Sequence, residues 1–85
     1  MVDVEFSSDA LKWIQNADEE VRKQFGRRLH RAEERPDHFL TPLRGRPTYK
    51  LRAGEFRAEI QWVEHDESDD VLFVRRIGHR DGFWD

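Results

Sequence analysis

The apolar residues of this chain change their repeat once, from helical spacing to strict alternation. The change falls at a stretch rich in proline and glycine. Before it, Val21, Phe25, Leu29 and Ala32 recur at steps of three and four residues, the stripe of one helix face. After it, Tyr49, Leu51 and Ala53 alternate with Lys50 and Arg52, and Phe56, Ala58, Ile60 and Trp62 alternate with Arg57, Glu59 and Gln61. Alternation of this kind belongs to strands with one buried face. The divider, residues 36–48, holds Pro36, Pro42, Gly45 and Pro47 and reads as a loop. Helices in one block and strands in another imply an α+β layer fold.

The remaining elements follow from local signals. Val2–Phe6 alternates and predicts a short strand. Ser7 or Ser8 can cap a helix over Asp9–Asn16, with Leu11 and Ile14 inward beside Ala10 or Trp13. Asp18 is the expected N-cap of the second helix, which Pro36 stops. Gly54-Glu55 joins two strands as a hairpin, and His65–Asp70 is the next hairpin loop. The last strand is expected over Val71–Ile77, ended by Gly78. The order is β-α-α-β-β-β: two N-terminal helices packed on one face of a twisted, mainly antiparallel sheet. The other face should be partly open and carry Lys50, Arg52 and Arg57. Arg75 and Arg76 cannot both face solvent in a regular strand, so one should pair with an acid. Trp62 continues the apolar register of its strand, and Trp13 suits a helix–sheet or partner contact.

With 85 residues the chain makes one domain, residues 1–85, whose small core leaves a partner room to stabilise it. Charged residues make up 39% of it, which could signal disorder, but six Phe and three Trp fall in periodic segments that can build a core. Without cysteine, disulfides and zinc–thiolate sites are excluded. His30, His38, His65 and His79 have no close ligand pair, so neither a metal nor a cofactor is expected. There is no basic start followed by an apolar run and no stretch long enough to span a bilayer, so no membrane contact is expected and the cytoplasm is the expected location. The net charge of −3 hides strong segregation. Residues 1–20 carry six acids and one Lys, residues 21–35 six bases and two acids, and residues 44–62 five bases and two acids. Residues 64–70 carry five acids and no Lys or Arg, and residues 71–80 three Arg and no acid. Basic segments that meet in space can attract phosphate whatever the net charge. Arg outnumbers Lys by 12 to 3, and arginine's planar fork grips phosphate in two places.

Three blocks then carry a resemblance: Pro42-Leu43-Arg44-Gly45, the hairpin Tyr49–Arg57, and Val71–Arg80 with its closing Gly78-His79-Arg80. Together with the N-terminal strand and helices, the chain resembles toxins of the RelE/ParE superfamily from type II toxin–antitoxin systems, over essentially its whole length. The resemblance implies a fold like that of small microbial ribonucleases, a cognate antitoxin as partner, and cleavage of messenger RNA on the ribosome. In that reaction the ribose 2′-hydroxyl attacks the adjacent phosphate. It needs a base for that hydroxyl, positive charge for the phosphorane and an acid for the leaving oxygen. By the match, Lys50 and Arg57 fall on the family's strand cations and Arg80 on its post-strand arginine. His79, the imidazole beside Arg80, is the candidate acid or base, and Glu59 a weaker one. Arg44, Arg46, Arg52 and Trp84 are further candidates for RNA contact, with Trp84 placed to stack on a base.

Two departures keep other readings open. Trp84 stands near where the family has a tyrosine, and Thr48 where well-known members have a second strand lysine. A non-nuclease toxin resembling ParE would inhibit DNA gyrase with the same fold. An inactive homologue would only bind RNA or antitoxin.

Overall fold

Ser7 makes the first turn of the chain. In the computed structural model, which describes residues 2–82, β1 (Asp3–Phe6) leads through Ser7 into α1 (Ser8–Gln15). The Ser7 hydroxyl accepts from the Ala10 N–H at 3.0 Å, capping the helix, and donates to the Arg75 carbonyl at 2.6 Å. Ala10 is fully buried, and Trp13 and Ile14 pack against the core beside it, the i, i+3, i+4 set of one face. Leu11, expected inward, is 42% exposed. One residue from Ala10 is about 100° around the helix, so burying Ala10 turns Leu11 outward.

The second helix, α2 (Glu19–Glu34), buries Phe25, Leu29 and Ala32. Asp18 holds its N-cap position in extended backbone, but its side chain makes no capping bond. The expected loop at residues 36–48 contains two short elements, α3 (Pro36–Phe39) and β2 (Thr41–Pro42). Pro36 does end α2, yet its fixed φ and missing N–H also suit the first position of a new helix, and it opens α3.

Three longer strands follow: β3 (Tyr49–Ala53), β4 (Phe56–Val63) and β5 (Val71–His79), then a 3-10 turn at Arg80–Gly82. The sheet order is β1-β5-β4-β3-β2. Among the described residues only the β1–β5 pair is parallel. The sheet is thus mixed but mainly antiparallel, and α1 packs on β5 while α2 packs on β3. The core between helices and sheet is built from Phe25, Leu51, Ile60, Leu72 and Val74, all essentially inaccessible. Trp13 links the layers, meeting Phe25 and Phe56 edge-on at centroid distances of 5.9 and 5.4 Å. Among the described residues no helix is long and apolar enough to cross a membrane.

Two details set which side chains share a face. The hairpin turn puts Gly54 at φ +62, the first central position of a type II′ turn, so Arg52 lies directly opposite Arg57. In β5 the ladder shifts at a bulge: Glu59 pairs with Arg76, but Ile60 pairs with Val74. Arg75 is the extra residue, which reverses the strand's parity. Leu72 and Val74 are buried before it and Ile77 after it. The consecutive arginines are accommodated in this way, with Arg76 paired to Glu59 and Arg75 bonded to the Gln61 side chain at 3.3 Å. The strand also runs through Gly78 to His79 rather than ending at Ile77, because Gly78 and His79 continue the ladder opposite Arg57 and Phe56.

Candidate functional site

The β3–β4–β5 register collects the basic side chains on the sheet face that the helices leave. Across the strands Lys50 faces Glu59, Arg52 faces Arg57, Arg57 faces Gly78, and Glu59 faces Arg76. Directly opposed residues project to the same side, so alternation in three strands builds one surface.

At the hairpin end sit Arg52, Arg57 and Arg80. Arg57 is only 9% exposed, and its Nη1 donates to the Gly54 and Phe56 carbonyls at 2.8 and 2.9 Å. Burial, and then the charges of Arg52 and Arg80, pull its guanidinium below the ordinary arginine range. Even so, arginine stays protonated near neutrality. Arg80 is fixed by its backbone N–H, which donates to the Glu55 carbonyl at 2.9 Å. Its Nε lies 3.6 Å from the exposed Asp81 carboxylate. Arg52 is exposed. Among the described residues neither Arg52 nor Arg57 has a carboxylate partner, so three mutually repelling cations converge on one end of the face.

Further along, Glu59 is the centre of a polar cluster. It is 6% exposed. The Thr48 hydroxyl donates to Oε2 at 2.6 Å, Arg76 Nε donates to Oε1 at 2.7 Å, and Arg46 Nη1 reaches Oε2 at 3.5 Å. Burial alone would raise the Glu59 carboxyl, but the bonds from Thr48 and Arg76 and the charges of Arg76 and Arg46 together hold it below the usual carboxylate range.

Not every expected residue joins this face. His79 lies opposite Phe56 in the ladder and meets its ring edge-on at 5.6 Å, on the helix side of the sheet. Its Nδ1 accepts from the Asp81 N–H at 3.2 Å. Arg44 is exposed at the tip of the turn closed by the Leu43 N–H to Thr48 carbonyl bond, and Arg46 is drawn to Glu59. Trp84 lies outside the described residues. Trp62 packs against the core and donates its indole N–H to Asp70 at 3.0 Å. That bond, with one from the His65 N–H, lowers the Asp70 carboxyl. Sequence reasoning had no structural place for Thr48 and did not link Glu59 to Arg46. Among the described residues no group of three metal-ligating side chains comes together.

A helical layer over a mixed sheet whose far face is rich in arginine defines a small α+β domain. The sequence matches the family of ParE toxins of type II toxin–antitoxin systems (parDE) over residues 4–83. The chain therefore belongs to that family, within the RelE/ParE superfamily. A chain of the intact E. coli RelBE toxin–antitoxin complex is 29% identical, with TM-score 0.73, over 91% of this chain and 94% of that one. A chain of the RelB–RelE antitoxin–toxin complex from Methanococcus jannaschii shares the fold at 17% identity and TM-score 0.66, over 91% of each chain. None of the curated proteins matches the sequence.

Proposed function

We propose that this toxin acts on RNA, as a ribosome-dependent messenger RNA endoribonuclease held in check by a cognate antitoxin. The observation that carries the reading is the convergence of Arg52, Arg57 and Arg80, two of them without a carboxylate partner among the described residues. Such a cluster is relieved by binding an anion, and arginine forks match phosphate. In the proposed reaction the 2′-oxygen bonds to phosphorus as the bond to the 5′-oxygen breaks. A cyclic phosphate and a free 5′-hydroxyl result. The proton lost from the 2′-hydroxyl is balanced by one gained at the 5′-oxygen. Arg57 and Arg80 would meet the charge growing on the phosphorane, and Arg52 and Lys50 would hold the flanking backbone. His79 packs against Phe56 and joins the cluster only through the Asp81 carboxylate it shares with Arg80, so proton transfer would fall to His79 at that edge, to Lys50, or to water or ribosomal groups.

The antitoxin partner is supported by the toxin–antitoxin assemblies in which the similar chains were solved. A ribosomal target would place the protein in the cytoplasm. A second reading, inhibition of DNA gyrase, is favoured by one observation: the His79 ring packs against Phe56 and meets the arginine cluster only through Asp81, whose carboxylate lies 3.5 Å from His79 Nδ1 and 3.6 Å from Arg80 Nε. The deciding experiment maps cleavage of message on translating ribosomes and, in parallel, measures DNA supercoiling by gyrase. Cleavage lost in Arg57→Ala and Arg80→Ala supports the nuclease. Growth arrest with intact message and blocked supercoiling replaces it with the gyrase reading.

A further inference from the structure

The flank of α2 that turns toward the β3–β4 hairpin carries an array of like charges. Gln24, Arg27, Arg28 and Arg31 line one polar cleft of about 200 Å³ there, the i, i+3, i+4, i+7 set of one helix face. Arg27 and Arg31 are exposed and Arg28 is half-buried. Lys23, Arg27 and Arg31 stand four residues apart, and like charges at that spacing destabilise a helix. Other charges of α2 are matched: Lys23 pairs with Glu19 at 3.4 Å and His30 with Glu34 at 3.1 Å, and the Arg22 guanidinium donates to the Ala17 carbonyl. Among the described residues no carboxylate pairs with Arg27, Arg28 or Arg31. An array that opposes its own helix and has no internal counter-charge suits an anion from outside. Gln24 ties it to the candidate site. Its amide lies against Gly54, where an added Cβ would stand 2.6 Å from it, and the Gly54 carbonyl accepts from Arg57. The cleft itself narrows the ligand. Among the described residues lining it there is no apolar anchor, which a partner protein's helix would need. Nor is there an aromatic ring, on which the bases of a single strand would stack. Forks held on a rigid helix, with a rise of about 6 Å from Arg27 to Arg31, suit a backbone whose phosphates are also held at fixed spacing. Double-stranded RNA has such a backbone and is recognised through its phosphates and shape.

We propose that Arg27, Arg28 and Arg31 form a docking surface for the phosphate backbone of double-stranded RNA, separate from the Arg52–Arg57–Arg80 cluster. The inference rests on the reading that this toxin acts on RNA. It adds a second contact to that reading: a single strand enters the sheet face while the helix flank grips a folded stem. Contacts of this kind fix where the protein sits and read no sequence.

Two fluorescent probes separate the surfaces: an RNA hairpin with a long paired stem and an unstructured single strand of the same length. Each is titrated with the purified chain at several salt concentrations. The double variant Arg27→Ala, Arg31→Ala is expected to bind the hairpin about tenfold more weakly or worse. Its slope of log affinity on log salt should flatten by ~1.8, two duplex phosphate contacts, while the single strand binds nearly as before. Both side chains are exposed and repel each other, so this variant should melt no lower than the unmodified chain. Arg22 stands nine residues from Arg31, on the opposite flank of α2. Arg31→Ala alone should weaken hairpin binding and Arg22→Ala hardly at all. Equal losses in those two would reveal only the general field of the protein and overturn the proposal. So would a double variant that binds the hairpin as tightly as the unmodified chain, or a loss shared equally by hairpin and single strand. Poly-L-glutamate, titrated alongside, stands in for an acidic protein partner. Tighter binding of it than of the hairpin, lost in the double variant, assigns the flank to a protein and overturns the choice of RNA. Single-strand binding that collapses in Arg57→Ala and Arg80→Ala while the hairpin ignores Arg27 and Arg31 overturns only this inference. An unmodified chain that binds neither RNA overturns both it and the functional reading.

Discussion

Glu59 shows how much one buried side chain can organise. Its carboxylate joins the loop residues Arg46 and Thr48 to Arg76 on β5. Replacing it with Gln leaves a neutral acceptor against two guanidinium groups, and the expected cost is roughly 1–3 kcal/mol. The pH dependence has a definite sign. The folded carboxyl is held below its unfolded range, so its contribution is complete above the unfolded value of about 4.3. It is lost as pH falls through the folded value. Urea midpoints taken from neutrality downward should fall more steeply for the unmodified chain than for Glu59→Gln, and parallel curves would refute the coupling. Arg80 makes the complementary case on the functional side. It is half exposed and fixed through its backbone, so Arg80→Ala should leave the melting curve nearly unchanged while cutting message cleavage by a factor of ~10²–10³. His79→Gln should cost far less, since the ring packs against Phe56 and reaches Arg80 only through the Asp81 carboxylate. Cleavage lost equally in both variants would contradict this division.

At the scale of single elements, the β3–β4 turn is the most exacting. A Cβ at Gly54 would stand 2.6 Å from the Gln24 amide, and the backbone there has φ +62. The amide can swing aside, but the φ cannot be relieved without changing the turn. Gly54→Ala should therefore lose roughly 1–3 kcal/mol and keep most of that loss in a Gln24→Ala background, as read by chemical denaturation. Full recovery in the double variant would mean the contact, not the backbone, sets the cost. This turn was legible in the sequence because glycine between two alternating runs has few other uses. The helical stripe of α2 and the alternation of β3 and β4 were legible for the same reason: each repeat matches one geometry. The bulge was only half visible. Arg75-Arg76 announced that a regular strand could not hold both, but which residue leaves the ladder depends on Leu72, Val74 and Ile77 all reaching the core. The short α3 was hidden because proline was read as a stop and not also as a start. In the site, the alternation put Arg52 and Arg57 on one face. It could not show Arg57 covered or His79 turned to the far side, because both depend on how far β5 extends past Gly78. Glu59 carried a usable signal, an acid between Ala58 and Ile60 in the most apolar strand.

For the molecule as a whole, charge is sorted by place more than by sum. The net charge is −3, yet one sheet face gathers Arg46, Lys50, Arg52, Arg57, Arg76 and Arg80 around one buried acid. The acidic run at residues 64–70 closes the β4–β5 hairpin at the end away from Arg57 and Arg80. The other molecular feature is the β1–β5 pair, which joins Asp3 to Val71 and Phe6 to Val74, while the Ser7 hydroxyl reaches the Arg75 carbonyl across 68 positions of sequence. A chain cut after Asp70 lacks the strand that both β1 and β4 need, and it should show no cooperative unfolding transition by circular dichroism. A sharp transition in that fragment would show that the N-terminal part folds alone. The same wiring sets a clock during synthesis. Residues 3–6 are made before the strand that receives them and wait, unpaired, until residues 71–74 have followed. Contacts so distant in the chain form late and slowly. Arg80 and the strand that aims it arrive in that same final stretch. A toxin wired in this order cannot close its sheet, or aim Arg80, until residues 71–80 are in place, so its fold and its arginine cluster become whole in a single closing step.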